Sequence, residues 1–241
     1  GSEMCIRDSY AYAQGAKDYA VNFAQLTQRA GNFLVSRSEE PDFDWNSLKG
    51  KTVLGGRAGG MPQMVLEYVL KQKGIDLSEI DIVQNIDFGL TAGAFSGGQG
   101  DYTVEFEPGA TSLELSGDGY VVASLGVESG YVPYTAYCAK QSFIDDNPEI
   151  ISGFTRAIEK GMAYVASHSS EDIAEIIAPQ FADIDVDKIA IIIERYKSQD
   201  TWKTDPTFEK EAFELLKDIL KGAGELDVDV PYEDLVMKPL T

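Results

Sequence analysis

Apolar residues recur along this chain in two rhythms, and the change between them divides it. Up to about residue 140 the runs are short and strand-like, broken by glycine and proline. Tyr19, Val21 and Phe23 alternate within residues 19–26, and residues 33–37 form a second short apolar run. Residues 51–54 read as a strand. Residues 62–73 read as a helix with Met64, Val65, Tyr68 and Val69 on its apolar face, stopped by Gly74. Strands at 80–85, 102–106, 120–125 and 134–139 follow, with short helices at 87–96 and 110–115. This β-α-β-α-β alternation marks an α/β lobe. Residues 38–47, polar and containing Pro41, read as a linker.

From Asn147 the rhythm is helical. Pro148 suits a first turn, and Ile151, Phe154, Ile158, Met162 and Val165 recur at spacings of three and four. Ser169 caps a helix that ends before Pro179, and Asp185 caps the next, through Tyr196. Asp205-Pro206 opens a last helix with Phe208, Ala212, Leu215, Leu216 and Ile219 on one face, closed by Gly222 or Gly224. The acidic tail from Glu225 ends in extended structure. Residues 1–9 have no periodicity and resemble translated sequencing-adapter sequence, so they are set aside as a non-native leader.

A chain of 241 residues, 44% of them hydrophobic, can bury a core large enough for one big domain or two lobes. It has no run of about 18 apolar residues, so no segment of it reads as a membrane span. Acidic residues outnumber basic ones 40 to 20, a net charge of -20. Such a surface repels phosphate backbones, which argues against a nucleic-acid partner. Two cysteines and one histidine are too few for a zinc cluster or a disulfide framework. No metal and no cofactor is expected. Cys138 reads as a buried inert thiol, His168 as a helix-terminal structural residue, and Trp45 and Trp202 as packing residues.

Two segments carry candidate chemistry. In Leu54-Gly55-Gly56-Arg57-Ala58-Gly59-Gly60-Met61-Pro62, a strand ends in four glycines within six residues and a proline opens a helix. Glycine lets backbone approach a guest, and a helix N-terminus has free N–H groups, so this is a generic receptor for an anionic or polar small molecule. It lacks the P-loop ending and the dinucleotide spacing. A tight turn packed for its own sake has the same composition. The second segment is Tyr102-Thr103-Val104-Glu105-Phe106-Glu107-Pro108. On a strand, Thr103, Glu105 and Glu107 share one face, and Tyr102, Val104 and Phe106 the other. The two carboxylates are an acid/base pair, acceptors for ligand N–H groups, or a solvated edge.

The order of these segments resembles a known family. Asp44-Trp45-Asn46-Ser47-Leu48-Lys49-Gly50-Lys51, the glycine loop, Ser96-Gly97-Gly98-Gln99-Gly100-Asp101-Tyr102, Glu105-Phe106-Glu107-Pro108, Val132-Pro133-Tyr134 and Asn147-Pro148-Glu149 follow one another as in the substrate-binding proteins of bacterial ABC importers. The branch is the one for nitrate, sulfonates, taurine and thiamine pyrimidine precursors, and the likeness runs from Tyr10 to the C-terminus. It implies an α/β, periplasmic-binding-protein-like type II fold: two α/β lobes with a hinge, ligand enclosed between them. Residues 10–37 and 133–241 would form lobe I and residues 38–132 lobe II. The family's earlier strand–helix–strand unit has no counterpart in this sequence, so by this resemblance the first lobe is expected to be incomplete and the chain to start in mid-domain.

By the same resemblance, Gly59, Gly60 and Met61 offer backbone N–H groups, with Arg57 beside them. Glu105 or Glu107 accepts from an amine or ring N–H, Phe106 or Tyr102 covers a ring, and Tyr134 reaches the cleft. Donors facing carboxylates favour a zwitterion or amino-heterocycle over bare nitrate. The implied partners are a small-molecule ligand and an ABC permease in the membrane. The implied protein is a monomer working outside the cytoplasm, in the periplasm or at the outer face of the cell membrane, where a lipid anchor is one means of tethering. A pyrimidine-precursor synthase shares the fold but uses a cysteine-rich segment, a histidine and iron, which this composition disfavours. A ligand-sensing domain is not separated from a transport protein by these residues.

Overall fold

The computed structural model describes residues 2–3 and 11–237. Cys5, Tyr10 and most of the leader lie outside the described residues. In chain order the elements are β1 (Ser2–Glu3), β2 (Ala20–Thr27), β3 (Phe33–Ser36), β4 (Thr52–Leu54), α1 (Met61–Gln72), β5 (Asp81–Val83), α2 (Phe88–Ser96), β6 (Tyr102–Glu105), α3 (Gly109–Ser116), β7 (Tyr120–Ser124), α4 (Leu125–Ser129) and β8 (Thr135–Lys140). Helices α5 (Gln141–Asp146), α6 (Pro148–Ser167), α7 (Ser170–Ile177), α8 (Val186–Ser198), α9 (Lys210–Gly222) and α10 (Tyr232–Leu235) complete the chain. The fold is mixed α/β, with two sheets in two compact units. One is the continuous segment Ala30–Gly130, and the other combines Gly1–Arg29 with Tyr131–Thr241.

The Ala30–Gly130 unit holds a five-stranded sheet in the order β5-β4-β6-β3-β7. β4 runs parallel to β5 and β6, while β3 is antiparallel to β6 and β7. All four residues of β3 are buried, as expected of a central strand covered on both faces. Residues 33–36 are therefore hydrogen-bonded on both sides within this unit, whereas the sequence reading begins the second lobe at residue 38. Met64, Val65, Val69 and Leu70 of α1, spaced at helical period, are buried together with Leu34, Val53, Val104 and Phe95. Gly60 is the N-cap of α1, Pro62 lies in its first turn, and Gly74 follows its end with φ +73°. The expected linker at 38–47 holds part of a 3-10 turn, Trp45–Leu48, which buries Trp45 and Leu48 and is capped by the Asp44 side chain. Residue 125 starts a helix instead of ending a strand, because the Ser124 hydroxyl accepts from the Val127 N–H and turns the chain.

In the other unit β8 pairs antiparallel with β1 and β2. Register shifts between Asn22 and Ala24 and between Gln25 and Thr27 break the expected alternation of β2, so that Val21, Asn22, Ala24 and Gln25 are all buried. Helix α6 begins at Pro148 as the pattern predicts. Ser169 caps α7 by accepting from the Asp172 N–H at 3.1 Å. Ile173, Ala174, Ile189 and Ile193 form a small core between α7 and α8, with Trp202 packed against it.

The last long helix begins at Lys210, not at Asp205. The Asp205 carboxylate does accept from the Thr207 N–H at 2.8 Å, but this makes only a local turn. The segment after it is held by Gln25: its N–H donates to the Pro206 carbonyl, and its Oε1 accepts from the Glu209 N–H. Phe213, Leu216, Ile219 and Leu220 of α9 are buried, and the Phe213 ring packs edge-on against Tyr232 of α10. The tail thus contains a helical turn before Val236, which is extended and bridges to Asn22; its last residues, 238–241, lie outside the described residues. Cys138 is buried, and His168 stacks on Tyr164 with ring centroids 3.6 Å apart. Among the described residues no helix is long and apolar enough to cross a membrane.

Candidate functional site

Three parallel strands of the Ala30–Gly130 unit end at the same edge of their sheet: β4 at Leu54, β5 at Val83 and β6 at Glu105. A helix starts after each. The connection from β4 leads outward to β5, and the next returns past β4 to β6. The chain therefore reverses direction in the sheet across β4, which makes this edge a topological switch point. Small ligands of open α/β sheets bind in the crevice outside the carboxyl ends of strands at such points. Both candidate segments from the sequence lie here.

The glycine loop after β4 is pinned to the segment after β5. The Gly55 N–H donates to the Val83 carbonyl at 3.0 Å, and the Ala58 N–H to the Gln84 carbonyl at 3.2 Å. Gly56 and Gly59 have φ of +86° and +73°, the left-handed region that side chains disfavour. Two of the expected donors are engaged within the loop: the Gly59 N–H donates to Gln63 Oε1 at 3.0 Å, and the Gly60 N–H to the Arg57 carbonyl at 3.1 Å. Gln63 Nε2 and Gln84 Nε2 both donate to Glu67 Oε1, bracing loop and helix together. Met61 and Gln63 occupy the first turn of α1, where the helix supplies no carbonyl for their N–H groups. The Met61 side chain itself is buried, and Arg57 is exposed.

Strand β6 carries the acidic part. Thr103 Oγ1 donates to Glu105 Oε1 at 2.6 Å, so these two share a face as predicted. Glu105 is only 3% exposed. Burial pushes its carboxyl up to about 7, against the opposing effect of hydrogen bonds from Thr103 and from Thr91 of α2. A Cβ at Gly109, the first residue of α3, would stand 3.0 Å from Glu105 Oε2, so that glycine leaves the carboxyl its room. Glu107 lies beyond the strand end, before a cis peptide to Pro108. Its carboxylate caps α3, accepting from the Thr111 N–H at 3.0 Å and the Thr111 hydroxyl at 2.8 Å.

The structure thus gathers Arg57, Gly59, Gly60, Met61, Glu105, Phe106 and Glu107 at one edge of one sheet. Tyr102 lies at the opposite end of β6 and on its other face, where its hydroxyl donates to Glu40 Oε1 at 2.8 Å. Burial and the Glu40 carboxylate hold its phenol above the usual value. Tyr134, buried just before β8, belongs to the other unit. Sequence reasoning missed Thr91, the one polar side chain in the middle of the apolar stretch of α2, and the Gln63–Glu67–Gln84 brace. Asn32 was also missed as a site neighbour: it is fully buried, one residue before the Phe33 that pairs with Glu105.

Chemically, the edge offers first-turn N–H groups, an exposed cation at Arg57 and one buried carboxyl able to accept or donate. Neither segment contains cysteine or histidine, the residues that most often serve as nucleophile and base.

The profile of the NMT1/THI5-like family matches residues 7–172. YtlA of Bacillus subtilis (strain 168), named as a binding protein, is 49% identical over all 241 residues, which span 71% of its length. Among solved structures, the periplasmic aliphatic sulphonate-binding protein SsuA of Escherichia coli superposes with a TM-score of 0.74 at 19% identity, covering 98% of this chain and 78% of that one. The alkanesulfonate-binding SsuA of Xanthomonas axonopodis pv. citri, solved with MOPS bound, gives 0.73 at 16% identity, covering 98% and 79%. The desulfurization enzyme DSZB gives 0.68 at 12% identity, covering 98% and 82%. At such identities the structural matches establish the fold, a periplasmic-binding-protein-like one shared by binding proteins and an enzyme. The chain belongs to the NMT1/THI5-like family.

Proposed function

We propose that this member of the NMT1/THI5-like family is the solute-binding component of an ABC importer. It captures a small polar organic solute of the sulfonate, taurine or aminopyrimidine type outside the cytoplasm and delivers it to a membrane permease. The observation that carries this reading is the pairing, at the switch point of one sheet, of a glycine loop opening a helix with one buried carboxyl. Donors on the loop side suit an anionic or carbonyl oxygen, and Glu105 suits a nitrogen bearing hydrogen. The names of YtlA and of the two SsuA proteins support binding over catalysis, and so does the make-up of the edge, where no nucleophile–base pair stands among the candidate residues. The net charge of -20 supports a small-molecule partner over nucleic acid. The binding step breaks no bond of the solute: ligand stabilises one conformation, and that conformation is what the permease recognises.

The test is a thermal-shift panel of taurine, ethanesulfonate, nitrate and 4-amino-5-hydroxymethyl-2-methylpyrimidine. A solute at a hundred times its Kd stabilises the native state by about 2.7 kcal/mol. For a chain of this size that raises Tm by roughly 5–10 °C. A cooperative melt unmoved by every member of the panel refutes the proposed solute class.

A further inference from the structure

Among the described residues, none supplies Glu105 with a positive charge. Strand β3 (Phe33–Ser36), strand β4 (Thr52–Leu54) and helix α2 (Phe88–Ser96), which pack around β6, contain no ionisable residue. On β6 itself the other titratable group, Tyr102, faces away toward Glu40. At the head of α3, Glu107 is bonded to Thr111, and further along that helix Glu114 accepts from the Val121 N–H. Arg37, the first charged residue after β3, donates to the carbonyls of Phe95, Gln99 and Gly100. Asp87, before α2, and Arg57, in the glycine loop, are exposed. The partners of Glu105 are the hydroxyls of Thr103 and Thr91, which can serve either the neutral or the ionised carboxyl. A carboxyl 3% exposed, bonded among the described residues to rotatable hydroxyls and beside a glycine that leaves it room, is set up for ionisation by an incoming cation.

We propose that the solute of this site carries a cationic nitrogen that docks on Glu105 and drives its proton into solvent, so that capture and proton release are coupled. This rests on the solute-binding reading above and narrows it to zwitterions such as an aminosulfonate, with the anionic end on the loop side. In the step, the carboxyl O–H bond breaks, the proton passes to a buffer base, and the carboxylate accepts from the ammonium N–H. No electron changes hands. A sulfonate without the nitrogen leaves the proton in place. With the unliganded carboxyl titrating at about 7, both forms are populated near neutrality and the coupling operates in an accessible range.

The probes are taurine and ethanesulfonate, which differ by the ammonium group, titrated calorimetrically into the full chain at pH 5.5 to 7.5. Each titration is run in two buffers of different ionisation heat. Taurine is expected to bind about 25-fold more weakly at pH 5.5 than at 7.5, and to release protons whose number falls as pH rises. Ethanesulfonate is expected to show neither effect. Glu105→Gln is expected to flatten the taurine profile and weaken taurine; the wild-type profile alone decides if that variant folds poorly. Binding of both probes without pH dependence or proton release overturns the coupling and leaves the solute-binding reading intact. Binding of ethanesulfonate alone overturns the cationic nitrogen. Binding of neither at any pH overturns the sulfonate reading itself, and the coupling falls with it.

Discussion

Replacing Glu105 by Gln tests the electrostatics of the site without any ligand. The carboxyl titrates at 4.5 when free and at about 7 in the folded protein, because burial disfavours its charged form. Below 4.5 both folded and unfolded states hold the proton, and Glu105 adds no pH dependence. Between 4.5 and 7 the folded state holds it and the unfolded state does not, so stability falls as pH rises. Above 7 the loss is complete, at about 3 kcal/mol for a 2.5-unit difference. Between pH 5 and 8 the wild-type chain should lose about 2.5 kcal/mol relative to Glu105→Gln, which keeps the shape and cannot ionise. The side chain is almost wholly buried, so solvent screening takes little from this figure. The assay is equilibrium urea unfolding of both proteins at half-unit steps of pH. Their difference in stability should be small at pH 5 and should grow steadily in favour of the variant. Parallel curves would show that Glu105 is ionised in the folded protein, and a variant less stable at pH 8 would show that a cation pairs with it.

Removing the second hydroxyl sharpens the same point. Thr91→Val deletes a bond that favours the ionised carboxyl, so the midpoint of Glu105, followed by carbon-13 NMR of its carboxyl, should move further up; a downward move would show that Thr91 serves the neutral form instead. Gly126→Ala probes the packing of α4 against the start of the unit. Its Cβ would stand 2.1 Å from the Ala30 carbonyl oxygen, so main chain must shift, at a cost of about 2 kcal/mol or more. A melting temperature within a degree of wild type would contradict the close approach of those two segments.

Much of the fold was legible because local signals agreed with tertiary demand. The helix at Met61–Gln72 was readable from Pro62, its apolar period and Gly74, all within one stretch of chain. The segment after Asp205 was not, since what holds it straight is Gln25, far away in sequence, occupying the backbone groups a helix would use. Strand alternation placed Thr103 and Glu105 on one face correctly. It also placed Glu107 there, because period alone does not say that the strand stops at 105 and that the next carboxylate turns to cap a helix. Composition marked the glycine loop as a candidate receptor or a tight strand–helix turn. That two of its N–H groups are spent on Gln63 and Arg57 depends on loop conformation, which glycine leaves undetermined. Thr91 was invisible for another reason: a lone threonine in an apolar helix acquires meaning only when a buried carboxyl lies opposite.

The division of the chain also dictates an order of assembly. Residues 30–130 contain every strand partner of their own sheet, whereas β2 must wait for β8, on the far side of that segment. During synthesis at roughly 5–20 residues per second, β2 leaves the ribosome many seconds before β8 exists. Without the intervening unit folded, closing so long a loop to pair the two would be slow and entropically costly. Once Ala30–Gly130 has folded, it turns that long loop into a short one, and Ala20 can find Lys140 as if the strands were neighbours. The inserted unit thus serves as the turn of a hairpin, and a mutation that delays its folding should trap β2 with an unpaired edge, the form of the chain most exposed to aggregation.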